Sequence, residues 1–423
     1  MSDQDEKKKM GVVVATAMSV TIVVGAGLLA LPGLSYAHAG RLGYMPWVVV
    51  ATLMLPLLVI FAYFGKTHPS AGGVVGYVRV SLGHRIATMC EMVVLGTFTL
   101  GIPAIALIGA GYLQQYYESM SLTGVALAMV SLAFLAGVVG LRVSGAIQTG
   151  IAIAIVVGLV TIGSGYLMTR PVVSAIPAGE VTLQGSWGSI AAAIPVVLFA
   201  FTGWEMTAFL AEDMKDPQRD MPTSIWASFI VVTALYLFIA WVVATYATPG
   251  DNWRLAPIVQ LAKGWMGNIG GQWVALIGAL LVIANVVAAF LSASRAIFSA
   301  GRDGLLPRVF GKTGRNGDPL RAMVLTYAIF VTVILFAQTG MVKVDLLLQL
   351  AGQNFFVLYL LAAIGYTKLN QHNKRRWIGY SAIAGVLCMM LVFSVQGLMY
   401  CATLAGLGLW LGRPKRKLAH AGQ

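Results

Sequence analysis

The residues of this chain best able to do chemistry sit inside apolar runs, where a flexible or polar group needs a reason. Two clusters stand out. The first is Val23-Val24-Gly25-Ala26-Gly27-Leu28, soon followed by Pro32, and the second is Phe199-Ala200-Phe201-Thr202-Gly203-Trp204-Glu205. A helix interrupted at such a place releases backbone groups that an intact helix would pair. An interruption at Gly25, Ala26 and Gly27 exposes N–H groups at the start of a half-helix, where the dipole is positive and favours a carboxylate. The dipole itself contributes only about 0.3–2 kcal/mol, so two or three charge-assisted N–H bonds at roughly 1.5–3 kcal/mol each dominate. Glycine suits that spot because a Cβ would hold the ligand away. The second cluster, at Ala200, Phe201, Thr202 and Gly203, exposes carbonyls that accept from an ammonium, with Phe201 placed to cover the bound ligand. The paired helix ends point to a small zwitterion.

Glu205 is the sharpest single residue, a carboxyl deep in an apolar run where charge is expensive and usually functional. It is a candidate for coupling to protons; the alternative is a neutral glutamic acid hydrogen-bonded to a neighbouring helix. Glu91 is less informative, since it lies close enough to a span's end to reach the interface. Asn285, Gln353 and Asn354 either line the cavity or bond between helices. Cys90, Cys388 and Cys401 show no metal-ligand spacing and are expected to pack between helices. The five histidines are dispersed in loops and tails. Gly311-Lys312-Thr313 lacks the first glycine of a phosphate loop, Leu306 standing there, and no strand precedes it. No cofactor, metal site or enzyme activity is expected.

Helices in a bilayer must position these clusters. The 423 residues are 58% hydrophobic and 10% charged, against roughly 25% charged in a soluble domain. Runs such as 11–37 and 44–64 exceed the ~20 residues that cross a ~30 Å hydrocarbon core. The first run continues into further spans, so it reads as a span and not as a removable signal. Twelve spans are expected, near 11–37, 44–64, 86–117, 122–141, 144–168, 187–211, 224–247, 269–299, 321–338, 344–366, 377–395 and 397–412. Residues 70–83 form a re-entrant or interfacial connection. With the N-terminus inside, 23 Lys and Arg fall in inner segments and 5 in outer ones, which places both termini in the cytoplasm. The net charge of +13 is thus a topology signal and not a nucleic-acid footprint.

The two clusters lie in the first and sixth spans, about 177 residues apart by count along the sequence. Five spans between them mean that the second half enters the membrane inverted. Matched interruptions of this kind are the mark of an inverted-repeat transporter and of its binding site. The expected organisation is a tail at 1–10, a five-helix repeat at 11–168, its inverted partner at 187–366, two added helices at 377–412 and a basic tail at 413–423.

The loops carry a resemblance. Pro69-Ser70-Ala71-Gly72-Gly73 with Tyr77, the Glu212–Pro222 segment of the form E-x-x-x-x-P-x-R-x-x-P, and Asp303-Gly304-Leu305-Leu306-Pro307 fall in order with the two clusters. Together they resemble the amino acid–polyamine–organocation superfamily over nearly the whole chain. Gly101-Ile102-Pro103-Ala104 and Pro414-Lys415-Arg416-Lys417 resemble elements of its short bacterial methionine and branched-chain amino acid exporters. The resemblance implies an all-α fold of five plus five inverted helices, the first and sixth broken, with two more helices. It implies carboxylate binding at Val24, Gly25, Ala26 and Gly27, ammonium binding near Ala200–Thr202, and a site reaching Pro103, Asn285 and Ala289. Two departures narrow the substrate. Ile155 stands where many relatives carry a lysine seven residues after a glutamine like Gln148, and Ala289, beside Phe290, stands where some antiporters place a tryptophan. An apolar side chain such as leucine or methionine is therefore expected.

The expected activity is proton-coupled export of neutral amino acids across a bacterial inner membrane, with an amino acid, protons and lipid as partners. Nothing in the sequence sets the oligomeric state. Uptake or exchange on the same fold is the alternative, with Ser292 and Ser294 available to sodium. A channel or sensor is a further one, against which the tails of about ten residues speak.

Overall fold

The computed structural model describes residues 11–24, 27–68, 73–114, 117, 119–139, 145–169, 187–204, 214–248, 251–314 and 319–412. Among the described residues the secondary structure is helical throughout, with no strand. The helices are α1 (Val12–Val24), α2 (Gly27–Ala39), α3 (Met45–Thr67), α4 (Gly73–Leu82), α5 (His84–Gln114), α6 (Leu122–Val139), α7 (Gly145–Thr169), α8 (Trp187–Ala200), α9 (Pro217–Tyr246), α10 (Asp251–Leu255), α11 (Pro257–Asp303), α12 (Leu320–Gln338), α13 (Val344–Leu369), α14 (Arg376–Met390) and α15 (Val395–Leu411). In lipid every backbone polar group must be paired within the protein, which is why the apolar runs are helices.

Eight helices are long and apolar enough to cross a membrane: α3, α5, α6, α7, α9, α11, α12 and α13. The other four expected spans coincide with shorter helices. α1 and α2 have 13 residues each and share the first apolar run. α8 stops after 14 residues, well before the expected end at 211. α14 and α15 have 15 and 17 residues.

Three boundaries differ from expectation for local reasons. α9 begins at Pro217 rather than near 224, because proline suits the first helical turn. α11 runs 47 residues because a first helix from Pro257 joins the expected span across a kink at Gly267, whose φ is +72°. The connection expected at 70–83 contains α4, where Tyr77 stacks on Phe64 of α3 at 4.6 Å while Arg79 and Val80 remain exposed.

Contacts between helix ends define two ends of the bundle. At the α4 end, Gly65 of α3 meets Met221 of α9, Gly365 of α13 meets Ser81 of α4, and Gly408 of α15 meets Met89 of α5. Arg79 binds Asp303, the last residue of α11, at 3.0 Å there. At the opposite, α10 end, Gly33 of α2 lies against the Trp253 and Arg254 carbonyls, and Gly165 of α7 against Trp265. Arg254 binds Asp345 of α13 at 2.5 Å. Helices α5 and α13 run through the middle, each packed on several others. Small residues allow that closeness: a Cβ on Gly109 would meet Val282 of α11 at 2.5 Å.

Candidate functional site

The first apolar run and the end of α8 meet in the core. α1 is described to Val24 and α2 from Gly27; Gly25 and Ala26, where the interruption is expected, lie outside the described residues. Gly27 faces the end of α8, where an added Cβ would sit 3.4 Å from the Ala200 Cα. Pro32, inside α2, removes the N–H that would bond the Leu28 carbonyl. The next carbonyl, of Leu29, accepts a hydrogen bond from the Tyr112 hydroxyl of α5.

The end of α8 is closed by its own residues. The Phe201 N–H donates to the Leu198 carbonyl at 3.1 Å, and the Thr202 N–H to the Phe199 carbonyl at 3.2 Å. The Thr202 hydroxyl donates to the same Phe199 carbonyl at 2.7 Å. Gly203 then turns the chain at φ +112°, a region other residues rarely adopt. Glu205 and the rest of the Glu212–Asp213 approach lie outside the described residues.

One residue that sequence reasoning missed ties both ends together. The Tyr236 hydroxyl of α9 lies 2.8 Å from the Val23 carbonyl and 3.0 Å from the Ala200 carbonyl, donating to both. A hydroxyl has one proton, so the two carbonyls share it. The Tyr236 ring packs edge-on against Trp47 at 5.0 Å and Phe201 at 5.4 Å, and Trp47 and Phe201 lie 6.1 Å apart. Phe201 is thus buried among aromatics and not turned to lipid. The only signal for Tyr236 in the sequence is a phenol in the middle of an apolar span.

Beside the first interruption is a cavity of about 40 Å3. Its walls are Thr21 and Val24 of α1, Leu28 and Leu29 of α2, Ile151, Ile155 and Leu159 of α7, and Leu281, Ala284 and Asn285 of α11. The structure therefore brings Val24, Asn285 and Ile155, the lysine-to-isoleucine departure, to one cavity. An apolar cavity that admits benzene is about 150 Å3, so this conformation holds no room for an amino acid there. Thr21 is engaged with the Ala17 carbonyl at 2.9 Å. Ala289 stands one turn past Asn285 and, like Pro103, is not among the walls. Pro103 is buried in α5, two residues beyond Gly101, which faces Phe199.

The remaining polar expectations resolve into structural bonds. The Ser394 hydroxyl of α15 donates to Gln353 at 3.4 Å, and the Cys401 thiol to Asn354 at 2.8 Å, joining α13 to α15 away from the cavity. The Ser294 hydroxyl donates to Thr326 at 3.2 Å and the Ser292 hydroxyl to the Ala288 carbonyl at 3.1 Å. Glu91 is buried. Cys90 and Cys401 are buried as expected, but Cys388 is exposed on α14, so it does not pack between helices. Among the described residues no cluster of His, Cys, Asp or Glu could hold a metal.

An all-α, multi-pass bundle that matches the amino acid permease family is a membrane transporter of the amino acid–polyamine–organocation type. The chain belongs to the amino acid permease family, which it matches over residues 10–406. It is similar to the uncharacterized amino acid permease YecA of Bacillus subtilis (strain 168), with 28% identity over 96% of both chains. It is equally similar to the L-methionine/branched-chain amino acid exporter YjeH of Escherichia coli (strain K12), at 28% identity over 98% of both. The serine/threonine exchanger SteT of Bacillus subtilis is 23% identical over 98% of this chain.

Proposed function

We propose that this amino acid permease exports neutral L-amino acids with apolar side chains, such as methionine and leucine, in exchange for protons across a bacterial inner membrane. The observation that carries the reading is the meeting of the α2 start at Gly27 with the α8 end at Ala200. On this reading the substrate carboxylate takes the first N–H groups of α2 around Gly25–Gly27, and its ammonium takes carbonyls near Ala200–Thr202. Closed packing at both helix ends describes a substrate-free conformation, and the site widens as the helices around it rock apart. The apolar walls at Ile155, Leu159 and Leu281 suit an uncharged side chain, because a buried charge there would have no partner. Similarity to a methionine and branched-chain exporter supports the same substrate class. Glu205 carries the coupling proton, and both termini face the cytoplasm, so the α4 end is the inner one.

Counterflow in liposomes tests this, with labelled methionine, leucine and arginine, with and without a pH gradient. Methionine and leucine exchange that is stimulated by an inside-acid or inside-alkaline gradient is expected. Uptake of arginine alone would sink the assignment, and an unchanged pH dependence in Glu205→Gln would remove the coupling role. A second reading, obligatory exchange of one amino acid for another, is favoured by the similarity to a serine/threonine exchanger. It predicts flux that needs amino acid on both sides and ignores the gradient.

A further inference from the structure

The half of the bundle nearest the α4 end carries a groove that the solute site does not use. It encloses about 280 Å3 between α5, α11, α12 and α15, with Met92, Leu95, Phe98, Ile329 and Leu404 among its walls. These five side chains are half-buried, so the groove opens sideways toward the hydrocarbon that surrounds a multi-pass protein. Its polar members offer nothing to a polar guest. The Thr99, Thr326 and Tyr400 hydroxyls all donate to backbone carbonyls, of Leu95, Ala322 and Gly96, at 2.9, 2.8 and 3.0 Å.

The mouth has the opposite character. Arg85 lies seven residues before Met92 on α5, and Arg321 four residues before Leu325 on α12. Helical periodicity places each arginine on the stripe that lines the groove, nearer the α4 end. Arg308 follows the wall residue Leu306 by two positions. All three arginines are exposed, and none forms an ion pair among the described residues. Asp303 nearby is held by Arg79 at 3.0 Å and cannot neutralise them. From Arg85 to Thr99 α5 climbs roughly 21 Å at 1.5 Å per residue. That is about half of a bilayer counted with its headgroup zones, ~40–45 Å in all.

We propose that this groove binds one anionic phospholipid, an acyl chain lying along the apolar walls and the phosphate meeting Arg85, Arg308 and Arg321. Guanidinium groups match phosphate oxygens in paired hydrogen bonds. A headgroup with net negative charge compensates three unpaired cations, whereas a zwitterionic headgroup carries its own cation into them. The lipid would tie α15, which lies beyond the expected repeats, to α5, whose Tyr112 holds α2.

Native mass spectrometry of the full-length protein, incubated with equal amounts of phosphatidylglycerol and phosphatidylcholine of identical chains, tests the assignment. Phosphatidylglycerol is expected to be retained over phosphatidylcholine by at least about five-fold, the effect of a single basic residue near a membrane surface. Replacing all three arginines (R85Q, R308Q and R321Q) brings the ratio close to one. Leu325→Trp, which fills the groove, lowers retention of both lipids. Lys374→Gln with Arg375→Gln, exposed elsewhere in the α13–α14 connection, leaves the ratio as it was. Equal retention of the two lipids by the unaltered protein overturns the proposal. So does a preference that survives the triple replacement or the filled groove, or one that falls as much in the Lys374 and Arg375 control.

Discussion

The two clusters, one around Gly27 and one at the end of α8, lie side by side and differ in what their residues touch. At the first, Gly27 is packed so closely on α8 that an added Cβ would sit 3.4 Å from the Ala200 Cα. At the second, the freed carbonyls are already in use. Phe201 and Thr202 close two of them, and the Tyr236 hydroxyl shares itself between Ala200 and Val23. On the proposed reading the anion end of the site is set by the start of a helix, whose N–H groups all point one way. The cation end needs a stand-in donor when no ligand is there, since a buried carbonyl without one costs about 1–3 kcal/mol. Tyr236 is that donor, and an ammonium bound as proposed would have to take the Ala200 carbonyl from it.

The comparison can be broken most severely at the first interruption. Gly27→Val puts branched carbons against Ala200 and α2's first turn, and should abolish exchange, a loss of more than about 100-fold if two charge-assisted bonds go. Initial rates of labelled leucine counterflow read this out, and near-normal rates would mean that the carboxylate binds elsewhere. Next comes Tyr236→Phe, which keeps the ring against Trp47 and Phe201 but strips the shared proton. Thermal stability of the substrate-free protein should fall by about 1–3 kcal/mol. Leucine should protect the variant more than the parent, while 4-methylpentanoate, which lacks the amine, should not. Equal protection by both compounds would contradict an ammonium at Ala200.

Thr202→Val sharpens the same point with a smaller change. Its hydroxyl is one of two donors on the Phe199 carbonyl, so its loss should cost about 0.5–1.5 kcal/mol of stability and alter leucine affinity by less than about ten-fold. A larger change would make Thr202 itself a ligand. The least effect belongs to Arg254→Gln at the α10 end. Its ion pair with Asp345 is more than a third exposed on the arginine side, and such pairs contribute about 0–1 kcal/mol, less at high salt. A melting shift that salt does not diminish would show a desolvated gate rather than a surface tie.

Much of the fold was legible in the chain. Apolar runs of span length announced α3, α5, α6, α7, α12 and α13 to within about three residues at each end and α9 at its far end, since hydrocarbon leaves a long apolar segment no alternative to a helix. The stop of α8 at Ala200 was legible from Thr202 and Gly203. The Gly267 kink and the separate helix before it were not, because a positive φ at one glycine leaves no trace in hydropathy. The burial of Glu91 was not legible either, because its distance from a helix end does not show which side chains pack against it.

By itself the sequence determined the membrane-spanning runs, the stop of α8 at Ala200 and the types of residue in the two clusters, all properties of segments no longer than one helix. Only the tertiary structure decided what each freed backbone group meets. The register of α9 against α1 and α8 set the Tyr236 hydroxyl between two carbonyls, and the packing of α7 and α11 brought Ile155 and Asn285 to one cavity. Those pairings join residues far apart in the chain, and close packing among many helices, rather than any local preference, selects them.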